Sequence, residues 1–194
     1  MYKILKTLTF FSLVLCSELE IGSVMPKSKV GLKTINGDII NLLSVKGESG
    51  TLVIFTCNTC PWVIKWEDRY LDIAEKYTPK GINMIAINSN VAKFNGDDSL
   101  IKMKEHANKM KYNFIYGQDP EAEIANAFGA TKTPHVFLFN QDNILVYRGA
   151  IDDNARDAKK VDEAYLANAM DALLENRKIE KKSTKALGCS IKFN

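Results

Sequence analysis

The chain has 194 residues, of which 46% are apolar and 25% charged. That is the balance of a folded globular protein, and it excludes a disordered, collagen-like or low-complexity chain; at ~150 residues per domain it allows one domain with extensions. The formal net charge is only +3, too weak to point to nucleic acid, and four cysteines are too few for a disulfide scaffold.

In chain order, Lys3 and Lys6 precede the apolar run 8–15, LTFFSLVL. Basic residues followed by a short apolar run have the shape of a secretory signal, and the run is shorter than the ~20 residues that span a bilayer. The pattern predicts a leader over 1–17. A lipoprotein variant puts the lipid on Cys16, the protein's only predicted link to a membrane. Export predicts a periplasmic or other extracytoplasmic location, where disulfides persist.

The body, 18–176, opens with a predicted hairpin, residues 32–35 and 38–42 flanking Asn36-Gly37, a dipeptide suited to a two-residue type I′ turn. TLVIFT, 51–56, is short, apolar and β-branched and reads as a buried strand. It runs into Cys57-Asn58-Thr59-Cys60-Pro61. A helix follows, with Val63, Trp66, Tyr70, Ile73 and Tyr77 at steps of three and four, stopped by Thr78-Pro79-Lys80-Gly81. INMIAIN, 82–88, is the next buried strand. A helix is predicted over 97–110 and a short strand over 113–116. Asp119-Pro120 opens a helix through Phe128, ended by Gly129. Residues 135–140 and 144–148 alternate as an antiparallel hairpin, and 161–174 is a last amphipathic helix. Residues 177–194 form a basic tail; its stretch 177–185 holds five basic residues and one Glu and reads as a solvated extension. The order predicts an α/β fold with a central mixed sheet, helices on both faces and an N-terminal β-hairpin.

The chemistry concentrates at Cys57 and Cys60. Two cysteines three apart at a helix start reach each other within one turn. The reading places the first sulfur beside unpaired backbone N–H groups and the positive helix end, which favour thiolate, the attacking species in disulfide exchange. Cys57 is therefore the predicted nucleophile and Cys60 the resolving thiol. A zinc site needs four Cys or His ligands, and the chain has no second Cys-x-x-Cys. Thr133-Pro134, just ahead of a strand, is a predicted cis-proline site beside the cysteines.

Cys57-x-x-Cys60-Pro61, Thr133-Pro134 and the strand–helix order together resemble the thioredoxin superfamily, in its peroxiredoxin-like, AhpC/TSA-related branch. The segments that carry the likeness are FTCNTCPW (55–62), EDRY (67–70), AINSN (86–90), GATKTPHVFLFN (129–140), VYRGAIDDN (146–154) and LGCSIKF (187–193). The resemblance implies a thioredoxin-like fold and a thiol–disulfide oxidoreductase, with Cys57, Cys60 and Pro134 catalytic. Thr133 is expected to offer backbone pairing to an extended partner strand, and Trp62, next to Pro61, is a candidate apolar rim for a partner, with simple packing as the other reading. No cofactor and no resident metal is required. Partners are protein thiols or disulfides, or a small peroxide, with an upstream dithiol reductant.

Two departures bear on that reading. The strand before the cysteines lacks the acidic residue usual in thioredoxins. If Cys60-Pro61 matches the Cys-Pro of peroxiredoxins, Cys57 stands where they carry Thr and Pro134 where they carry Arg, so the usual donors for O–O cleavage are absent. The alternatives are a peroxidase with Cys60 peroxidatic, and a Cu- or Zn-binding chaperone using Cys57, Cys60 and His135. His135 is also a candidate proton shuttle, and Cys189, in the terminal GCSIKF, a candidate second resolving thiol. Asp152-Asp153-Asn154 with Asp157 reads as a turn leading into the last helix.

Overall fold

A computed structural model describes residues 17–194. The predicted leader, Ser17 apart, and the lipid site at Cys16 lie outside the described residues.

The elements are β1 (Leu32–Thr34), β2 (Ile39–Ile40), β3 (Gly50–Thr56), α1 (Pro61–Trp66), α2 (Asp68–Tyr77), β4 (Ile82–Asn88), α3 (Leu100–Met110), β5 (Ile115–Gln118), α4 (Glu123–Phe128), β6 (Lys132–Thr133), β7 (His135–Asn140), β8 (Leu145–Gly149), α5 (Tyr165–Leu174) and β9 (Cys189–Ser190). Seven strands form one mixed sheet in the order β2-β1-β5-β4-β3-β7-β8, and β6 and β9 pair separately. β3 lies inside, parallel to β4 and antiparallel to β7. A strand flanked on both sides and covered on both faces needs apolar residues at every position, and Leu52, Val53, Ile54 and Phe55 are all buried.

Alternate side chains of β3 feed two cores. Leu52 and Ile54 join Val136 and Leu138 of β7 beneath Trp66, Tyr70, Leu166 and Met170, on the face covered by α1, α2 and α5. Val53 and Phe55 join Phe137 and Phe139 beneath Phe128 of α4, on the other face. There Phe55, Phe128 and Phe137 meet edge-on at centroid distances of 5.4, 5.6 and 5.1 Å.

Local departures from the sequence reading have local causes. The first hairpin turns through three residues, not two: Thr34 N–H donates to Asp38 O at 2.8 Å, and Gly37 alone takes a positive φ, 95°. That is a type I turn closed by a left-handed glycine. α3 begins after Ser99, whose hydroxyl caps Lys102 N–H, and this leaves Asp97 and Asp98 in the loop before it. β5 is shifted two residues along. α4 is one turn and a half, since the Asp119 carboxylate accepts from Ile124 N at 3.1 Å and Ala125 N at 2.9 Å, further along than its place in sequence suggests. α5 starts at Tyr165, with Asp162 N–H drawn instead to Asp153 Oδ1.

The loop after β8 is fastened to the α1–α2 junction. Asp152 is buried and accepts from Trp66 Nε1 at 2.7 Å and from Arg69 Nε at 3.1 Å. Arg69 also donates to Asn154 O at 2.8 Å and Lys65 O at 2.6 Å. These bonds assign a structural task to EDRY and to IDDN: they set the height of the first helix over the sheet. Asp152→Ala would remove the buried carboxylate partner of Arg69 and leave it only the exposed Asp68, so it is expected to cost about 2 kcal/mol. Urea unfolding of the variant checks this, with a lowered midpoint at an unchanged slope.

Candidate active site

β3 ends at Thr56 and α1 starts at Pro61, so residues 57–60 carry the chain from sheet to helix. Their path is set by Asn58. Its N–H donates to Asp98 Oδ1 at 2.9 Å, its Nδ2 donates to Asp97 O at 2.7 Å, and its Oδ1 accepts from Tyr116 OH at 3.0 Å. Asp98 is fully buried and also accepts from Asn90 Nδ2 at 2.9 Å. Asp98 is the site residue that sequence reasoning missed; its only signal was an acidic pair ahead of a helix.

Cys60, not Cys57, stands at the helix entrance. It is the N-cap of α1 with extended backbone, φ −72° and ψ 123°, and Cys57 lies outside the helix altogether. This corrects the placement of the first sulfur, Cys57, at the positive helix end. The cause is Pro61, which takes the first helical position at no hydrogen-bond cost and keeps the residue before it out of helical geometry.

Both sulfurs converge on Thr133. Cys57 Sγ lies 3.3 Å from Thr133 Oγ1, and Cys60 Sγ lies 3.2 Å from Thr133 O. Cys57 and Cys60 are free thiols, and they are only 4% and 5% exposed. The Cys60 thiol donates to Thr133 O, and Cys189, opposite Thr133, packs against the cluster that contains both cysteines. The Val63 N–H is directed at the Cys60 sulfur, without closing a regular capping bond. The Thr133 carbonyl opposes ionisation, but the donors outnumber it. The Cys57 thiol above all, then Cys189 and Val63, holds Cys60 down to about 4. Cys57 moves the other way, far above the ordinary thiol range. The Cys60 sulfur raises it most, burial adds to this, and the Asp98 carboxylate disfavours a second negative charge. The two thiols therefore share one proton.

The remaining predicted residues fall in different places. The Thr133–Pro134 peptide is cis, and both residues are buried. Trp62 is half-buried, 6.1 Å from the Trp66 ring, with Lys65 Nζ 4.8 Å over its face. Cys189 is half-buried beside Cys60. His135 is not at the site. It shares its strand face with Phe137, on whose ring it stacks at 4.4 Å, whereas Val136 and Leu138 share the face of Cys57 and Cys60. It is 1% exposed, neither ring nitrogen has a partner, and burial depresses it to about 3. This removes His135 from a metal trio with the two cysteines and from proton transfer to them. Among the described residues no group of three or more His, Cys, Asp or Glu is placed to hold a metal ion. Nor is the edge of Thr133 open to a partner strand: β9 occupies it, with Lys132 opposite Ser190 and Thr133 opposite Cys189.

A mixed sheet with helices on both faces, a dithiol at the end of its central strand and a cis-proline against that dithiol define a thioredoxin-fold protein. The family model Redoxin matches residues 20–165, and the chain belongs to that family. It is similar to an uncharacterized conserved protein from Geobacillus kaustophilus, at 35% identity and TM-score 0.82, covering 90% of this chain and 93% of that one. It is also similar to a hypothetical protein from Sinorhizobium meliloti, at 29% identity and TM-score 0.83, covering 92% and 97%. A secreted disulfide oxidoreductase of Mycobacterium tuberculosis shares the fold at 13% identity and TM-score 0.58, covering 75% and 97%. No curated protein matches the chain.

The shared proton has a measurable signature. Cys60 ionises in the folded reduced protein through about pH 4, against 9.0 for an ordinary thiol. Its contribution to reduced-state stability is therefore fully present above about 9 and is lost as pH falls through about 4. Cys57, raised, subtracts stability only above the ordinary thiol range. Absorbance at 240 nm should report one thiolate per reduced chain at pH 6 and lose it through about pH 4. The Cys60→Ser variant should lack that absorbance.

Proposed function

We propose that the protein is a thiol–disulfide oxidoreductase cycling Cys57 and Cys60 between dithiol and disulfide, with Cys60 as attacking thiolate and Cys57 as resolving thiol. The observation that carries this is geometric: both free thiols converge on Thr133, Cys60 at the helix entrance and Cys57 just before it. Of the two, Cys60 is the one ionised, and Cys57 already lies where it must close the pair.

In exchange, Cys60 thiolate attacks one sulfur of a partner disulfide and expels the other as a thiolate. Cys57 then loses its proton and attacks Cys60 in the mixed disulfide, releasing the second partner thiol. Asp98 replaces, from the loop before α3, the strand acid that this chain lacks, and its charge keeps Cys57 a thiol until that second step. The reading carries export with it, since a leader over 1–17 delivers the dithiol to a compartment where its disulfide persists.

Peroxide reduction at Cys60 draws on the same thiolate and is the second reading. The nearby hydroxyl, Thr133 Oγ1, is engaged with Cys57 and not with Cys60. O–O cleavage needs donors that stabilise the leaving oxygen, so exchange is the better fit.

Three measurements separate these readings. Cys60→Ser is expected to abolish insulin reduction. Cys57→Ser combined with Cys189→Ser is expected to arrest at a mixed disulfide on Cys60. If a mixed disulfide instead accumulates on Cys57 in Cys60→Ser, the roles are reversed; if Cys57→Ser keeps full peroxide turnover, the protein is a peroxidase. With Cys60 ionised and Cys57 protonated, reduction takes up one proton per two electrons. The potential should therefore fall by about 30 mV per pH unit between about pH 5 and 8, where two ordinary thiols give about 59 mV.

A further inference from the structure

The dithiol is covered by the chain's own tail. β9 lies antiparallel to β6, with Cys189 opposite Thr133, and Ile191 N–H donates to Thr131 O at 3.0 Å. Gly188 crosses Thr133 so closely that a Cβ there would meet Thr133 O at 2.2 Å and Thr133 C at 2.6 Å. Beyond it the strap is fastened again: Lys192 N–H donates to Asn90 Oδ1 at 2.8 Å, Ala92 N–H donates to Lys192 O at 3.1 Å, and Ile191 is buried. This path places Cys189 opposite Thr133, the residue both buried sulfurs face, and packs it against their cluster. Cys57 and Cys60 are nearly sealed, while Cys189 is partly exposed and packs against the cluster that contains them.

We propose that Cys189 is the relay thiol through which an external dithiol exchanges electrons with the buried Cys57–Cys60 pair. The proposal rests on the dithiol reading above. Starting from the oxidised pair, the Cys189 thiolate attacks Cys60. The Cys57–Cys60 bond breaks, its electron pair passes to Cys57, which takes up a proton, and a Cys60–Cys189 disulfide forms. A partner thiolate attacks Cys189, and Cys60 leaves as a thiolate. The second partner thiol then attacks the partner sulfur of the resulting mixed disulfide and frees Cys189. One partner dithiol has become a disulfide and one Cys57–Cys60 disulfide has become a dithiol, so electrons and sulfur bonds balance. The same steps run backwards reduce a partner disulfide. The tail thus takes the place a substrate strand would hold and presents a cysteine in it, opposite Thr133.

Tryptic mapping under non-reducing conditions tests this on the full chain. Cys57 and Cys60 share the peptide 47–65, and Cys189 falls on 186–192. In glutathione redox buffers, wild-type protein should yield both the internally closed 47–65 and a 47–65/186–192 cross-link. In Cys57→Ser the cross-link should become the main product. Gly188→Val, which displaces the strap without touching a thiol, should lower the cross-link about tenfold by removing the held geometry, while 47–65 still closes internally. Cys189→Ser should keep the Cys57–Cys60 disulfide and exchange with a protein dithiol about tenfold more slowly. Absence of the cross-link from both wild type and Cys57→Ser overturns the relay, as does wild-type exchange rate in Cys189→Ser; the dithiol reading survives either result. If 47–65 fails to close internally in Cys189→Ser, the dithiol reading falls and the relay with it.

Discussion

Because β3 stops at Thr56 and α1 starts at Pro61, four residues turn the chain from sheet to helix, and within them both sulfurs are brought onto Thr133. That convergence couples the two thiols, so that ionising one disfavours ionising the other. It holds only while both neighbours of the turn stay put. Asn58 is tied to Asp97, Asp98 and Tyr116 on one side, and the helix is tied to the Asp152 loop by Trp66 and Arg69 on the other. A small displacement of either anchor would separate two sulfurs whose chemistry depends on contact, because close-packed interiors transmit strain.

Thr133 is where the separate parts meet. Its hydroxyl faces Cys57, its carbonyl faces Cys60, its strand pairs with Cys189, and Gly188 lies directly on its backbone. One residue therefore holds three thiols and the tail that brings the third. The tail is short of regular structure, yet both ends of β9 are fixed: Thr184 hydrogen-bonds to Tyr147 and Ala150 upstream, and Lys192 to Asn90 and Ala92 downstream. A basic extension that reads as solvated from its charge thus ends in a segment integrated with the site.

The parts legible in the sequence were those with a strong local pattern. TLVIFT and INMIAIN could only be buried strands, and Pro79-Lys80-Gly81 could only stop a helix. Cys57 and Cys60 declared themselves by spacing. What was hidden depended on direction or on distance in the chain. Which cysteine takes the helix entrance turned on Pro61, whose restriction of its predecessor outweighs the usual placement of the first cysteine. The face taken by His135 follows from strand parity, and parity can be counted only once the strand's register against Cys57 is known. Asp98 reaches the site from a loop forty residues away, and nothing in its neighbourhood distinguishes it from a solvated acid.

The chain places its buried acid differently from the pattern it otherwise follows, and the electrostatics explain how the site still works. An acid in the strand before the cysteines would lie directly beneath them. Here Leu52 to Phe55 fill both cores instead, and the carboxylate approaches through Asn58, with Cys57 the nearer thiol in its field. Its charge therefore weighs against ionising Cys57 and leaves the anion to Cys60, where thiol and N–H donors converge. A sulfur stabilised as thiolate is a good leaving group, and its stabilisation favours the reduced pair over the disulfide. Under the exchange reading this pushes the couple in the oxidising direction, toward accepting electrons from a partner dithiol.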